Sequence, residues 1–293
     1  MKAIGIDIGG TKIGIGVVRE DGVFLKKEEI STNPHMNGES ILSRIAERLR
    51  QFREEEIAGI GIGTAGQISP RGVVLSSTDT FSDWKGINVK RQMEEATGCR
   101  VEVVNDVQAM GLGEQRFGAG KNVNDFICVA LGTGVGGSII TNGKLVRGHL
   151  GAAGELGHMI LIPEGRRCPC GNRGCLEAHV SGVAIESLYQ ERYSVAKKGQ
   201  LIFKEALEND PHALAVVEHY LMDLTTGLTS LVNIFNPEKV ILGGGVAQSL
   251  LPYMERLTYD VRRYVAPVND KVSIEQSRLR GDAMILGAAS LVM

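Results

Sequence analysis

Residues 2–30 read KAIGIDIGGTKIGIGVVREDGVFLKKEEI. An apolar run (2–8) meets a Gly-Gly-Thr turn and a second apolar run follows. Asp21-Gly22 then turns the chain into VFLKKEEI, so the stretch predicts a three-strand meander. The same plan returns at 126–148: FICVAL, GTGVGG, SIIT, Asn142-Gly143, KLVRG. In each copy an Asx-Gly pair follows nine or ten residues after a threonine, Thr11 or Thr133. Two matches of this kind predict duplicated halves.

Periodicity fills in the rest. A helix is expected over 39–54, with Ile41, Ile45, Leu49 and Phe52 on one face, then a strand at IAGIGIG (57–63). A helix near 89–96, the strand RVEVV and a helix opening after Asn105-Asp106 come next. From about Ala178 to Asn236 the pattern is helical; KVILGGG, a further helix, the strand VSIEQ and a closing helix from about Asp282 end the chain. Strands alternating with helices make an α/β protein of two related domains, 1–118 and 119–281. The closing helix (282–293) is expected to pack back on the first domain, and ligands are expected in the cleft between the two.

The 293 residues are 43% hydrophobic and 23% charged, with net charge −2 and no block of five like charges. Nucleic-acid affinity rests on phosphate neutralisation, so no nucleic-acid partner is expected. MKAIGID has no apolar signal stretch and no run approaches the ~18 residues of a membrane span, so no membrane association is expected. A reducing cytoplasm follows as the expected location. There, CPCGNRGC (168–175) reads as a metal site more readily than as a disulfide. A catalytic cysteine needs one thiolate, and a Cys168–Cys170 disulfide would be a strained ring. Cys168, Cys170 and Cys175 with His158 of GELGHMILIP supply four zinc ligands, MILI between them being expected as a strand. Four protein ligands leave no place for a catalytic water, so zinc is structural here; incidental reduced thiols are the alternative.

GIGTAG (61–66) matches a dinucleotide fingerprint, but Ser69-Pro70-Arg71-Gly72 turns the chain where a helix should open. DIGGTK (7–12) and LGTGVGG (131–137) are better phosphate sites, since glycine-rich turns aim backbone N–H groups and threonine hydroxyls at phosphate. Asp7 would repel phosphate unless Mg²⁺ or its water lay between. Gly243-Gly244-Gly245 adds a backbone surface suited to adenine or ribose. Asn105 and Asp106 end an apolar strand, where helix capping is the plain alternative to chemistry. Glu155, His158 and Glu177 flank the cysteine loop, and several carboxylates with an amide suit a polyhydroxylated ligand.

Together DIGGTK, Asn105-Asp106, LGTGVGG, Glu155-Leu156-Gly157-His158, CPCGNRGC with Leu176-Glu177, and ILGGG resemble the ROK family (repressor, open reading frame, kinase) of sugar kinases and sugar-responsive regulators. The resemblance implies an actin-like, hexokinase-like (ribonuclease-H-like) duplicated fold whose lobes close over ATP and sugar. It implies transfer of the γ-phosphate to the primary (C6) hydroxyl of a hexose or N-acylhexosamine, glucose or N-acetylmannosamine foremost. By that likeness Asp106 is the catalytic base, and Gly66, Asn105, Glu155, His158 and Glu177 hold the sugar. Asp7, Gly9, Gly10, Thr11, Lys12, Gly132, Thr133, Gly134, Gly136, Gly243 and Gly244 hold ATP and Mg²⁺. A homodimer is expected. GTAGQISPRGVVLSST (63–78) is closer to the N-acetylmannosamine kinase form than to the glucokinase form. A non-catalytic sugar-sensing regulator is the alternative, although Asp106 and both turns are kept. Family repressors carry a DNA-binding domain ahead of DxGGT, and only six residues precede Asp7. An actin-like chaperone would not need Glu155, His158 and Glu177.

Overall fold

The computed structural model describes residues 1–32, 36–52, 56–77, 81 and 83–293. The expected helix end at Glu54 and Thr78 of the GTAG segment lie outside the described residues.

The first three strands, β1 (Lys2–Ile8), β2 (Lys12–Arg19) and β3 (Phe24–Ser31), form the predicted meander. Helix α1 (Gly38–Leu49) is capped by Asn37, whose side chain accepts from Ser40 N. It ends earlier than the periodicity suggested, and a single 3-10 turn, Arg50–Phe52, carries Phe52 into the core. After β4 (Ile60–Thr64) comes a small hairpin, β5 (Gln67–Ile68) and β6 (Val74–Ser76). GIGTAG therefore opens a hairpin rather than a helix. Helix α2 (Val89–Thr97), β7 (Val101–Asn105) and α3 (Asp106–Phe117) follow. The sheet order is β3-β2-β1-β4-β7, with β4 and β7 parallel to β1.

Alternation along β1 divides this sheet into two unlike faces. Ile4, Ile6 and Ile8 join Ile13, Ile15, Ile60 and Ile62 in a core with Ile41 and Ile45 of α1 and Met93 of α2. Ala3, Gly5 and Asp7 point the other way.

The second copy opens with β8 (Phe126–Leu131), β9 (Val135–Thr141) and β10 (Lys144–Leu145). KLVRG thus contributes only a two-residue strand. The predicted helical stretch is four helices: α4 (Glu177–Val180), α5 (Gly182–Tyr193), α6 (Gly199–Leu207) and α7 (Pro211–Phe235). Then come β11 (Lys239–Gly243), α8 (Gly245–Ser249), α9 (Met254–Tyr264) and β12 (Ser273–Gln276). Its sheet order, β10-β9-β8-β11-β12, repeats that of the first.

The last helix, α10 (Ala283–Ser290), belongs to the first unit, which comprises 1–122, 145–154 and 281–293; the second comprises 123–144 and 155–280. Its seat explains several of the glycines. A Cβ on Gly5 would lie 2.0 Å from Ile285 O, and one on Gly61 would lie 1.7 Å from Ala288 O. Only bare glycine lets the α10 backbone rest on the strands. Gly287 meets α3 the same way, 1.7 Å from Ala109 O.

Candidate active site

In the first unit Asp7 sits near the end of β1, with Gly14 and Gly63 as its ladder neighbours. A Cβ on Gly63 would lie 3.0 Å from Ala109 Cβ and 3.5 Å from Asp106 Cα, so the missing side chain lets the first turn of α3 settle over this row. Asn105, not Asp106, caps α3: its Oδ1 accepts from Val107 N (2.9 Å) and Gln108 N (3.3 Å), and its Nδ2 donates to Gly66 O (3.0 Å). Capping is thus no explanation for Asp106, whose Oδ1 takes one bond from Val107 N at 2.9 Å. Burial pushes the Asp106 carboxyl above the ordinary range, against the bonds from Val107 and Asn105. Asp7 is pushed up to about 7, first by burial and then by the charge of Asp106, with Lys12 opposing. Such a pair favours a shared proton or a cation.

In the turn after β1, Gly9 N donates to Lys12 O at 3.0 Å, which spends that donor and leaves Gly10 and exposed Thr11 as candidates for phosphate. Lys12 itself is ion-paired with Glu29 at 3.0 Å. Gly66 adopts φ +100° in the bend before β5, and a Cβ there would meet Ser76 O at 2.5 Å.

In the second unit the corresponding turn is one residue shorter. Gly132 N donates to Gly134 O (2.9 Å), and Gly132 O accepts from Gly182 N (2.8 Å), leaving Thr133 exposed. Gly136 and Gly243 are not turn residues: they lie in β9 and β11, flanking Ala130 of β8. Gly244, at φ +85°, packs against Leu131 O and starts α8. A cavity of about 580 Å³ opens beside this turn, lined by Thr133, Gly245, Val246, Glu186, Lys198 and Phe203. Its size suits a nucleoside. Residues of α5 and α6 form much of it, and no sequence motif marks them. A larger cavity, about 810 Å³, is lined by α7 and α9 residues such as Met222 and Arg256 and includes none of the motif residues. Cavity size alone therefore does not locate the chemistry.

The four zinc candidates come together. His158 Nδ1 lies 3.8 Å from Cys168 Sγ, Cys170 and Cys175 sulfurs are 3.6 Å apart, and all four ligand atoms fall within 4.8 Å of one another. Tetrahedral zinc with ~2.3 Å sulfur bonds puts its sulfurs ~3.8 Å apart, so the donor set fits. MILI is not a strand. Leu161 N and Ile162 N both turn to Gly174 O (2.7 and 3.2 Å), and only Ile160 makes an isolated bridge, to Cys175. The loop's own bonds displace the ladder. Burial raises the Cys168 thiol, so a thiolate there calls for a cation.

The carboxylates ride on this loop. His158 Nε2 stands 3.6 Å from Glu155 Oε2, leaving one ring nitrogen to the cluster and one to Glu155. Glu177 Oε2 accepts from Val135 N at 2.8 Å, and its Oε1 lies 3.6 Å from Cys168 Sγ.

The ROK family profile matches residues 3–293. The chain belongs to the ROK family. It is 35% identical to the glucokinase of Thermotoga maritima, over 100% of this chain and 97% of that protein. It is 30% identical to the N-acetylmannosamine kinase of Vibrio cholerae, over 99% and 98%. Among solved structures, a ROK glucokinase of Streptomyces griseus in complex with glucose and AMPPNP superposes with TM-score 0.85 at 33% identity, covering 99% of both chains. The fold is the actin-like, hexokinase-like duplication of ROK sugar kinases, and this chain is an ATP-dependent carbohydrate kinase.

Proposed function

We propose that the protein transfers the γ-phosphate of ATP to the primary (C6) hydroxyl of glucose or N-acetylmannosamine, with Asp106 as general base. One observation carries this reading: Asn105 performs the capping, so the half-buried Asp106 carboxylate is not spent as the cap and is available to accept a proton. A sugar hydroxyl holds its proton far above pH 7. Asp106 Oδ takes that proton as the oxygen attacks the γ-phosphorus and the bond to the bridging oxygen of ADP breaks. Backbone N–H groups of the two Gly/Thr turns meet the charge on the phosphoryl oxygens. Mg²⁺, when bound, neutralises the phosphates, and Asp7 is the residue that would hold it or its water. Glu155, His158 and Glu177 orient the sugar hydroxyls from a loop that zinc would keep rigid.

The relatives support both sugars. Identity is somewhat higher to the glucokinase, whereas the Thr64-Ala65-Gly66 loop resembles the N-acetylmannosamine kinase form more than the glucokinase form, which leaves other hexoses open as well. Coupled ADP release across hexoses and acylated hexosamines decides between them: the true substrate gives the highest kcat/KM. No turnover with any sugar would favour the sensor. A cytoplasmic homodimer completes the proposal, supported by the exposed Met222, Ile234, Tyr259 and Tyr264 on α7 and α9, and sedimentation would test it. Among the described residues no helix is long and apolar enough to cross a membrane.

A further inference from the structure

Glu177 is read from sequence as a sugar ligand, yet its carboxylate also faces the phosphate turn of its own unit. Oε2 accepts from Val135 N at 2.8 Å, the first amide after the Gly132–Gly134 turn. A Cβ on Gly134 would lie 2.4 Å from that same oxygen, so Gly134 is bare on the side where Glu177 docks. The turn itself is closed by Gly132 N to Gly134 O (2.9 Å). Glu177 stands two residues after Cys175 and its Oε1 reaches within 3.6 Å of Cys168 Sγ. One half-buried side chain therefore joins the cysteine loop to the backbone that frames Thr133.

We infer that Glu177 is a positioning residue for nucleotide: it ties the metal-binding loop to the second phosphate turn, so that order in the loop and affinity for ATP are linked. This rests on the reading that residues 132–134 hold phosphate. A charged acceptor on a backbone N–H is among the stronger protein hydrogen bonds, and it fixes the peptide plane preceding Val135. Without it, the turn is free to rotate that peptide away from its phosphate-binding form.

The test is titration calorimetry of AMPPNP with Mg²⁺ into the full-length, zinc-verified protein without sugar. Glu177→Ala should weaken nucleotide binding roughly tenfold, the order of one charge-assisted hydrogen bond, while zinc content holds. Glu177→Gln should stay within about twofold, because its amide oxygen accepts the same Val135 N–H. Gly134→Ala should weaken binding by displacing the carboxylate, and combined with Glu177→Ala it should add almost nothing. Zinc-stripped protein should bind nucleotide as weakly as Glu177→Ala. Thr133→Ala is the control for the underlying reading. If Thr133→Ala weakens binding and Glu177→Ala does not, the tie is wrong. If neither does, phosphate does not sit on this turn and the inference falls with it. Additive losses in the double variant would also overturn it.

Discussion

The two sheets share one strand order and differ at one telling place. In the first, the penultimate residue of the central strand is Asp7, between Gly14 and Gly63; in the second it is Ala130, between Gly136 and Gly243. The duplicated scaffold thus leaves the same bare-flanked position twice, and only one copy fills it with a carboxylate. A buried carboxylate is costly, and its rise to about 7 registers that cost. The first unit accepts it beside Asp106, the pair of carboxylates to which the proposed mechanism gives the cation and the proton. The second keeps the position neutral and brings charge to its turn from outside the sheet, through Glu177. On the proposed mechanism, single residues divide one scaffold into a reactive half and a cradling half.

Breaking that difference should have large effects. Ala130→Asp would bury a carboxylate at a position only 8% exposed, between two strand glycines that bring no side chain to it. Urea unfolding at pH 8 should show a loss of about 3 kcal/mol or more, shrinking at pH 5 as the group protonates. A loss below about 1 kcal/mol at pH 8 would mean the second position tolerates charge and the contrast is incidental.

Next in size is the loop. Cys170→Ser should lose zinc by elemental analysis and raise the sugar KM roughly tenfold or more, because Glu155 and His158 are no longer held. Full activity in verified zinc-free protein would remove the metal from the explanation.

The third difference is the pH dependence of Asp7. Its carboxyl is raised from 3.8 to about 7 in the folded protein, so the folded state binds the proton more tightly than the unfolded chain. The cost is absent below the unfolded value, grows as pH rises through the window from about 4 to about 7, and is complete above it. Compared with Asp7→Asn, ligand-free wild type should match at pH 4 and fall behind by pH 8 in thermal midpoint. Asp106, Lys12 and Glu29, which face Asp7, are unchanged in both proteins. Parallel curves would place Asp7 in a solvated setting instead.

The duplicated meanders were legible because alternating apolar residues and Asx-Gly turns are local signals. So was the cysteine cluster, whose members lie close in sequence. The glycines were only half legible. Gly9, Gly10 and Gly132 read correctly as turn residues, but Gly5 and Gly61 serve α10, some 225 residues or more further along the chain. Nothing near Gly5 in sequence names that partner. MILI looked like a strand because apolar runs do, and the carbonyl of Gly174 that captures its amides is a tertiary fact. Likewise Asn105 and Asp106 are both good caps by type, and only the turn of the backbone decided which one caps.

That assignment permits the most direct test of the kinase mechanism. Asp106→Asn leaves the Asn105 cap untouched and removes only the proton acceptor, so the protein should fold and bind both AMPPNP and sugar nearly as wild type. Positioned proton transfer is typically worth ~10²–10⁴-fold, and steady-state kcat with saturating substrates should fall by at least that much. Turnover within about threefold of wild type would contradict Asp106 as the base.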